Sequence, residues 1–167
     1  ASTFLYDTLT RLCSALGMDG SEYRRLVAGS FLVSCDNAHA VHPNHGEFAD
    51  RNHTARMNGG VVIKYNANQR YTSDAVSAGI FRRICESAGV PVQYYANRAD
   101  MPGGSTLGNI SNTQVSLNAV DIGLAQLAMH SPFETAGAAD TASLVKALTA
   151  FFEHSLVAER DGVYRFL

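Results

Sequence analysis

Two residues whose side chains can bind metal ions stand at the ends of apolar runs, far apart in the chain. Asp36 follows the segment Ser30–Cys35, and His130 follows Leu124–Met129. A carboxylate and an imidazole that leave the same edge of a sheet can hold zinc. Each residue also has an ordinary structural explanation, Asp36 as a turn or helix cap and His130 as a hydrogen-bonded core histidine. Two such ligands do not complete a catalytic site.

A long histidine-rich loop follows Asp36. His39 and His42 are three residues apart, which suits either metal binding or a hydrogen-bonded cluster that shapes a pocket. We expect His45 and His53 to be exposed, because their neighbours are charged or small and polar. Loops of this length in compact domains are usually functional or mobile.

A cation and a phenol could complete a binding site. Lys64 lies within the apolar run Val61–Tyr65, where its ammonium group must reach solvent or meet an anion. If Lys64 faces a pocket, its natural partner is a carboxylate. Tyr71 could add a hydroxyl donor there, and packing in the core is its alternative role.

The elements that must position these residues alternate between strands and helices. Helices are predicted near residues 4–16, 21–27, 74–88 and 139–154, and strands at 30–35, 61–65, 92–96 and 118–122, with a second extended piece from 123 to 129 that ends at His130. In the last helix we expect the larger apolar side chains to face inward: Leu144, Val145, Leu148, Phe151 and Phe152. This alternation predicts an α/β fold, a three-layer sandwich in which helices flank a largely parallel mixed sheet.

Composition limits the function classes. The 167 residues are 46% hydrophobic and 17% charged, as in a packed globular protein, and the net charge of −2 provides no basis for binding nucleic acid or acidic membranes. No apolar run approaches the ~20 residues that span a bilayer. The cysteines Cys13, Cys35 and Cys85 are unevenly spaced in apolar surroundings, so we expect buried free thiols and a cytoplasmic location.

Four segments, in this order and spacing, resemble the aspartyl aminopeptidase family. They are 34–44, 63–73 (Ile-Lys-Tyr-Asn-Ala-Asn-Gln-Arg-Tyr-Thr-Ser), 100–108 and 121–131, and the resemblance runs from about Ala1 to Phe152. Members of that family are dinuclear zinc exopeptidases that remove an acidic residue from the N-terminus of a peptide. The resemblance therefore implies two Zn²⁺ ions per complete site, or other divalent metals, and peptide substrates that begin with Asp or Glu.

The resemblance also implies a role for each matching residue. Asp36 matches the terminal carboxylate ligand of one zinc, and His130 matches the imidazole ligand of the other. His39 matches a catalytic histidine that contacts the substrate beside the scissile carbonyl. Lys64 and Tyr71 match substrate-binding residues.

The rest of the family's machinery precedes the region that matches Ala1. There lie the bridging Asp, a Glu-Glu pair that supplies the base and a ligand, the first His, and a β-rich dimerisation domain. We therefore expect residues 1–154 to be the C-terminal portion of a catalytic domain and 155–167 to be a tail. The isolated chain is expected to be inactive, and the full-length enzyme to form a homo-oligomer.

Two other functions remain open from the sequence. The chain could be a non-catalytic fragment, a folding or assembly module that docks with a partner. It could also belong to a related dinuclear aminopeptidase or deacetylase with a different substrate, against which the region around Lys64 argues by resemblance alone.

Overall fold

A computed structural model describes residues 2–160 and 162–167, so that Ala1 and Asp161 lie outside the described residues. The helices are α1 (Phe4–Ala15), α2 (Gly20–Ala28), α3 (Ala75–Ser87), α4 (Leu107–Asn112) and α5 (Ala138–Glu153). The strands are β1 (Phe31–Cys35), β2 (Ala38–His39), β3 (Val61–Tyr65), β4 (Val92–Ala96), β5 (Asn118–Gly123), β6 (Ala125–Leu127), β7 (Thr135–Ala136), β8 (Leu156–Arg160) and β9 (Val163–Phe166). Within this described part, no helix combines the length and apolar character that crossing a membrane requires.

The central sheet has the order β1-β5-β3-β4 and is mixed. β1 pairs in parallel with β5, β3 pairs in parallel with β4, and the two halves meet in an antiparallel contact between β5 and β3. The prediction of a largely parallel mixed sheet flanked by helices is confirmed. Because β3 runs antiparallel to β5, the carboxyl ends of β1 and β5 lie at the same edge of the sheet as the amino end of β3.

The two faces of this sheet differ in chemistry. Side chains alternate across a strand, and Ile63, Val120 and Ile122 form an apolar core cluster with side chains of α3 and α5. Ser34, Lys64 and Asp121 occupy the alternate positions and are buried too. α4 covers this second face, where the Gly108 backbone N–H donates to Ser34 Oγ at 2.9 Å. Helices therefore lie on both faces, and polar side chains gather on one of them.

Two helices show how the local sequence sets their ends and packing. α3 begins at the N-cap Asp74, which forms a capping box with Ser77. In α5 the predicted inward face is partly wrong, because Val145 is 60% exposed and Phe152 is 80% exposed. The buried residues on this face of α5 include Ala147 and Ala150, whose small side chains let the helix approach its neighbours closely.

The extended piece predicted to reach His130 is shorter than expected. β6 ends at Leu127, and the chain turns there, with the Ser131 N–H donating to the Ala128 carbonyl at 3.1 Å. Ala128 and His130 both have a left-handed backbone, with φ of 55° and 65°. A left-handed turn breaks strand geometry, so His130 lies in the connection between β6 and β7.

The tail beyond residue 154 folds into the antiparallel hairpin β8–β9. Leu156, Tyr164 and Phe166 pack against the cluster formed by Ile80, Ile84 and Ala150. The tail is thus attached to α3 and α5 through apolar contacts.

We predict that the segment after β1, at Asp36 and Asn37, can lie against β5 only because position 123 is glycine. A Cβ at this position would lie 1.9 Å from the Asp36 carbonyl oxygen. Gly123→Ala should lower the free energy of unfolding by about 1–3 kcal/mol or more in urea titrations, because backbone must move. Gly79→Ala is the matched control: nothing lies within 4 Å, and a better helix former should stabilise α3 by up to about 1 kcal/mol. Equal effects of both substitutions would contradict this close approach.

Candidate active site

The segment that carries Asp36 leaves the sheet along a fixed path. The Asp36 N–H donates to the Ile122 carbonyl at 3.0 Å. Asn37 then bridges to the neighbouring segment, since its Oδ1 accepts from the Leu124 N–H at 3.3 Å and its Nδ2 donates to Gln126 Oε1. The backbone is held in place while the Asp36 side chain stays exposed. The Asp36 carboxylate is therefore accessible, while the backbone that carries it is held in place.

Lys64 also holds the segment that carries Asp36, through hydrogen bonds to its backbone. Its side chain is 1% exposed, and Nζ donates to the Asp36 carbonyl at 2.8 Å and, at the longer distance of 3.5 Å, to the Asn37 carbonyl. Burial lowers the pKa of Lys64, and the charges of Asp36 and Asp121 act against this shift. An ammonium group has three N–H donors. Two of them are directed at these carbonyls, which leaves one for another acceptor.

Tyr71 lies against Lys64. The Lys64 Nζ is 5.0 Å from the centre of the Tyr71 ring, within the range of a cation–π contact. Tyr71 is buried and packs near Tyr95, with ring centres 6.4 Å apart. Burial, followed by the charge on Tyr95, raises the pKa of Tyr71 to about 12. Its hydroxyl thus stays protonated at neutral pH and remains a hydrogen-bond donor.

His39 lies on β2, beside the strand that leads to His130. In the β2–β6 pairing His39 is opposite Gln126, four residues before His130. Partial burial lowers the pKa of His39, and the positive charges of His130 and Lys64 lower it further. A neutral imidazole is therefore favoured at position 39. A cavity of about 290 Å³ adjoins it, with walls that include Tyr95, Met101 and Leu127.

His130 is held by its backbone in a strained turn. Its N–H donates to Glu134 Oε1 at 2.6 Å, and its side chain is exposed. Left-handed backbone costs about 1–2 kcal/mol for a residue with a Cβ. Strain of this kind persists where surrounding contacts enforce it, and it clusters at functional sites.

The remaining loop histidines lie at the surface, and His42 and His45 line the same cavity as His39. His45 and His53 are exposed as predicted, and they pair with Glu47 at 3.1 Å and Asp50 at 3.0 Å. The His42 and His45 rings lie 5.1 Å apart. Across residues 2–160 and 162–167, no three His, Cys, Asp or Glu side chains are grouped to hold a metal ion. The donor chemistry of Asp36 and His130 suits zinc, and within the described part of the chain they are not joined by a third such side chain.

Sequence reasoning missed the importance of Asp121. This carboxylate is 0% exposed, in the middle of β5. Oδ2 accepts from the Thr72 N–H at 2.6 Å and from Thr72 Oγ1 at 2.8 Å, and Oδ1 accepts from Thr106 Oγ1 at 2.7 Å. A lone Asp inside the apolar run Ala119–Gly123 was the available signal, because an ion buried in a strand needs partners.

Comparison with known proteins gives one consistent family. The family described as "Aminopeptidase I zinc metalloprotease (M18)" matches residues 1–152. "Probable M18 family aminopeptidase 2" of Pseudomonas paraeruginosa is 48% identical over 152 residues, covering 91% of this chain and 34% of that protein. The chain therefore spans about a third of the length of this relative.

Solved structures agree with this match. A structure of the Ape4 and Nbr1 complex superposes with a TM-score of 0.87 and 38% identity, over 91% of this chain and 29% of that one. The S. cerevisiae mApe1 dodecamer superposes with a TM-score of 0.77 and 26% identity, over 91% and 33% of the two chains.

The cysteines provide a test of the region around Asp36. All three thiols are free, as predicted, but Cys35 is exposed, which corrects the expectation that all are buried. Burial raises the pKa of Cys85 to about 12, and partial burial also raises the pKa of Cys35, so the exposure of Cys35 is the main difference between the two thiols. Iodoacetamide at pH 8.5 should label Cys35 in the native chain and spare Cys85, because a thiolate is the nucleophile. Peptide mass spectrometry measures both sites, with urea-unfolded protein as the control. Labelling of Cys85 before Cys35 would contradict the described burial.

Proposed function

The chain belongs to the M18 family of zinc metalloproteases, and we propose that the complete protein releases N-terminal Asp or Glu from peptides by two-metal hydrolysis. The observation that carries the preference for acidic residues is the buried ammonium of Lys64, whose hydrogen bonds to the carbonyls of Asp36 and Asn37 use two of its three N–H groups. A fixed cation beside a metal site suits a substrate carboxylate, because charge-assisted hydrogen bonds are the stronger ones.

The chain's own residues divide the work. Asp36 and His130 would hold zinc, which when bound supplies Lewis-acid polarisation of the scissile carbonyl. His39, as a neutral imidazole, donates a hydrogen bond to the carbonyl oxygen as negative charge develops there. The protonated Tyr71 hydroxyl and the Lys64 ammonium bind the substrate, and the cavity beside His39 leaves room for a substrate side chain. The proton shuttle is assigned, by family resemblance, to a Glu outside this chain.

Assembly and location follow as parts of the same proposal. A relative, mApe1 of S. cerevisiae, forms a dodecamer, which supports a homo-oligomer for the complete protein. Three unpaired cysteines favour a reducing compartment, and we propose the cytoplasm.

An alternative function is a folding or assembly module that docks with a partner carrying the other ligands. Large apolar side chains are exposed on two helices, Phe4 and Leu16 near the ends of α1 and Phe152 in α5. If such side chains form one contiguous apolar patch, that patch would mark an interaction surface. Light scattering after size exclusion tests this alternative, because a chain that remains a lone monomer disfavours an assembly role.

The complete gene product is predicted to hydrolyse an aspartyl anilide, and the 167-residue chain alone is not. Two ligands cannot hold the metal pair that the reaction needs. Release of aniline by each purified protein, before and after dialysis against a chelator, measures this. Chelator-sensitive turnover by the isolated chain would contradict the incomplete site.

Lys64→Ala in the complete gene product should lower kcat/KM for an aspartyl substrate about 10²-fold more than for an alanyl substrate, because a charge-assisted bond is lost. The ratio of the two substrates cancels any loss of folded protein. Lys146→Ala, on the exposed surface of α5, is the control and should leave the ratio unchanged. Equal losses for both substrates in Lys64→Ala would remove Lys64 from substrate selection.

A further inference from the structure

We propose that Asp121 is a positioning residue of this site: it fixes the segment Tyr71–Ser73 against the sheet and thereby holds Tyr71 and Lys64 in their substrate-binding arrangement. The inference rests on the proposed function for its kinetic consequence. Its structural part stands independently of that function.

Asp121 holds the segment after Tyr71 through both its side chain and its backbone. Thr72 donates to Oδ2 with its N–H at 2.6 Å and its hydroxyl at 2.8 Å. Ser73 Oγ accepts from the Asp121 N–H at 2.9 Å and donates to the Asp121 carbonyl at 3.4 Å. Four contacts therefore join two consecutive residues to one point on β5. Tyr71 directly precedes Thr72, so these four contacts also fix the backbone position of Tyr71.

Asp121 also borders Lys64 within the sheet. The antiparallel register pairs Ile63 with Ile122, and the next residues in each direction are Lys64 and Asp121. Both lie on the polar face, where the negative charge of Asp121 acts on the Lys64 ammonium. The ammonium in turn lies 5.0 Å from the Tyr71 ring centre. One carboxylate thus connects the two substrate-binding residues.

The remaining oxygen anchors a third segment. Thr106, the N-cap of α4, makes no cap hydrogen bond with its side chain. Its hydroxyl donates to Asp121 Oδ1 at 2.7 Å instead. Desolvating a carboxylate is expensive, and an apolar side chain of similar volume at such a site is often as stable. We therefore assign the carboxylate a geometric role, which apolar packing does not provide.

Asp140 is a natural comparator in the same chain. It is 1% exposed and accepts from the Asn58 N–H at 2.6 Å and the Gly60 N–H at 2.8 Å. It joins α5 to the start of β3, so its described hydrogen bonds involve neither Tyr71 nor the Lys64 side chain. Removing its charge should lower stability in the same way without moving the substrate-binding residues.

The test compares Asp121→Asn with Asp140→Asn in the complete gene product. Asn keeps the shape but removes the negative charge beside Lys64 and leaves a single acceptor oxygen. Either the Thr106 hydroxyl must then reverse to accept, or the Thr72 N–H loses its acceptor. We expect Asp121→Asn to raise KM for an aspartyl anilide about 10-fold and to lower kcat/KM up to about 10²-fold. Asp140→Asn should leave KM within about twofold of wild type, because loss of folded protein alone lowers the apparent kcat at constant KM. Equal changes in KM would overturn the proposal.

Hydrogen–deuterium exchange on the same proteins gives a readout without activity. Asp121→Asn should speed exchange in the peptide covering residues 66–74, and Asp140→Asn should speed it in the peptide covering 56–62. If the wild type hydrolyses no anilide, the proposed function fails while the exchange pattern still decides the positioning role. Unchanged exchange at 66–74 in Asp121→Asn would overturn that role.

A milder pair covers the case in which Asp121→Asn does not fold. Thr72→Val removes the hydroxyl contact beside Tyr71, and Thr106→Val removes the corresponding contact at α4, with nearly the same change in shape. Thr72→Val should raise exchange at 66–74, and KM where the enzyme is active, more than Thr106→Val does. The reverse order would contradict the assignment.

Discussion

The structure depends on how it satisfies one buried cation. Lys64 follows three fully buried residues of β3, and its Nζ donates to the carbonyls of Asp36 and Asn37. These hydrogen bonds join the centre of the sheet to the segment that follows β1. A buried side chain therefore fixes the backbone position of Asp36. A buried ammonium without such partners would cost several kcal/mol. The same group that stabilises this path also gives the site its positive charge.

This arrangement explains why one face of the sheet is polar although it is covered. Apolar side chains on the other face pack against α3 and α5, and that side supplies the hydrophobic stabilisation. On the polar face, Asp121 and Lys64 hold loops in place through directional hydrogen bonds, whereas the apolar face relies on close packing. Asp140 does the same at the start of α5. Buried charged side chains in this protein therefore hold distant segments together. A site assembled from several loops requires such contacts.

The family assignment bears on how these residues are interpreted. The chain spans about a third of the M18 relative from Pseudomonas paraeruginosa and matches the family over residues 1–152. Asp36, His39, Lys64, Tyr71 and His130 come from three segments of the chain, and contacts or electrostatic influence link them through Lys64 and His39. Together they offer one carboxylate, two imidazoles, a phenol and a buried lysine, the groups to which the proposed function assigns roles.

The sequence by itself determined the mixed α/β class, the strands around residues 31–35, 61–65, 92–96 and 118–122, and the start of α3 near residue 74, because hydrophobic periodicity and helix-start residues are local signals. It also singled out Asp36 and Lys64, as charged groups in or after apolar runs. Only the tertiary structure decided that β3 runs against β5, that β6 ends at Leu127, and that Ala147 and Ala150 are among the buried residues of α5. It alone revealed the partners of Asp121, which lie 15 and 49 residues away. Pairing direction, close helix approach and long-range hydrogen bonds depend on contacts between distant residues, and spacing along a single chain does not encode them.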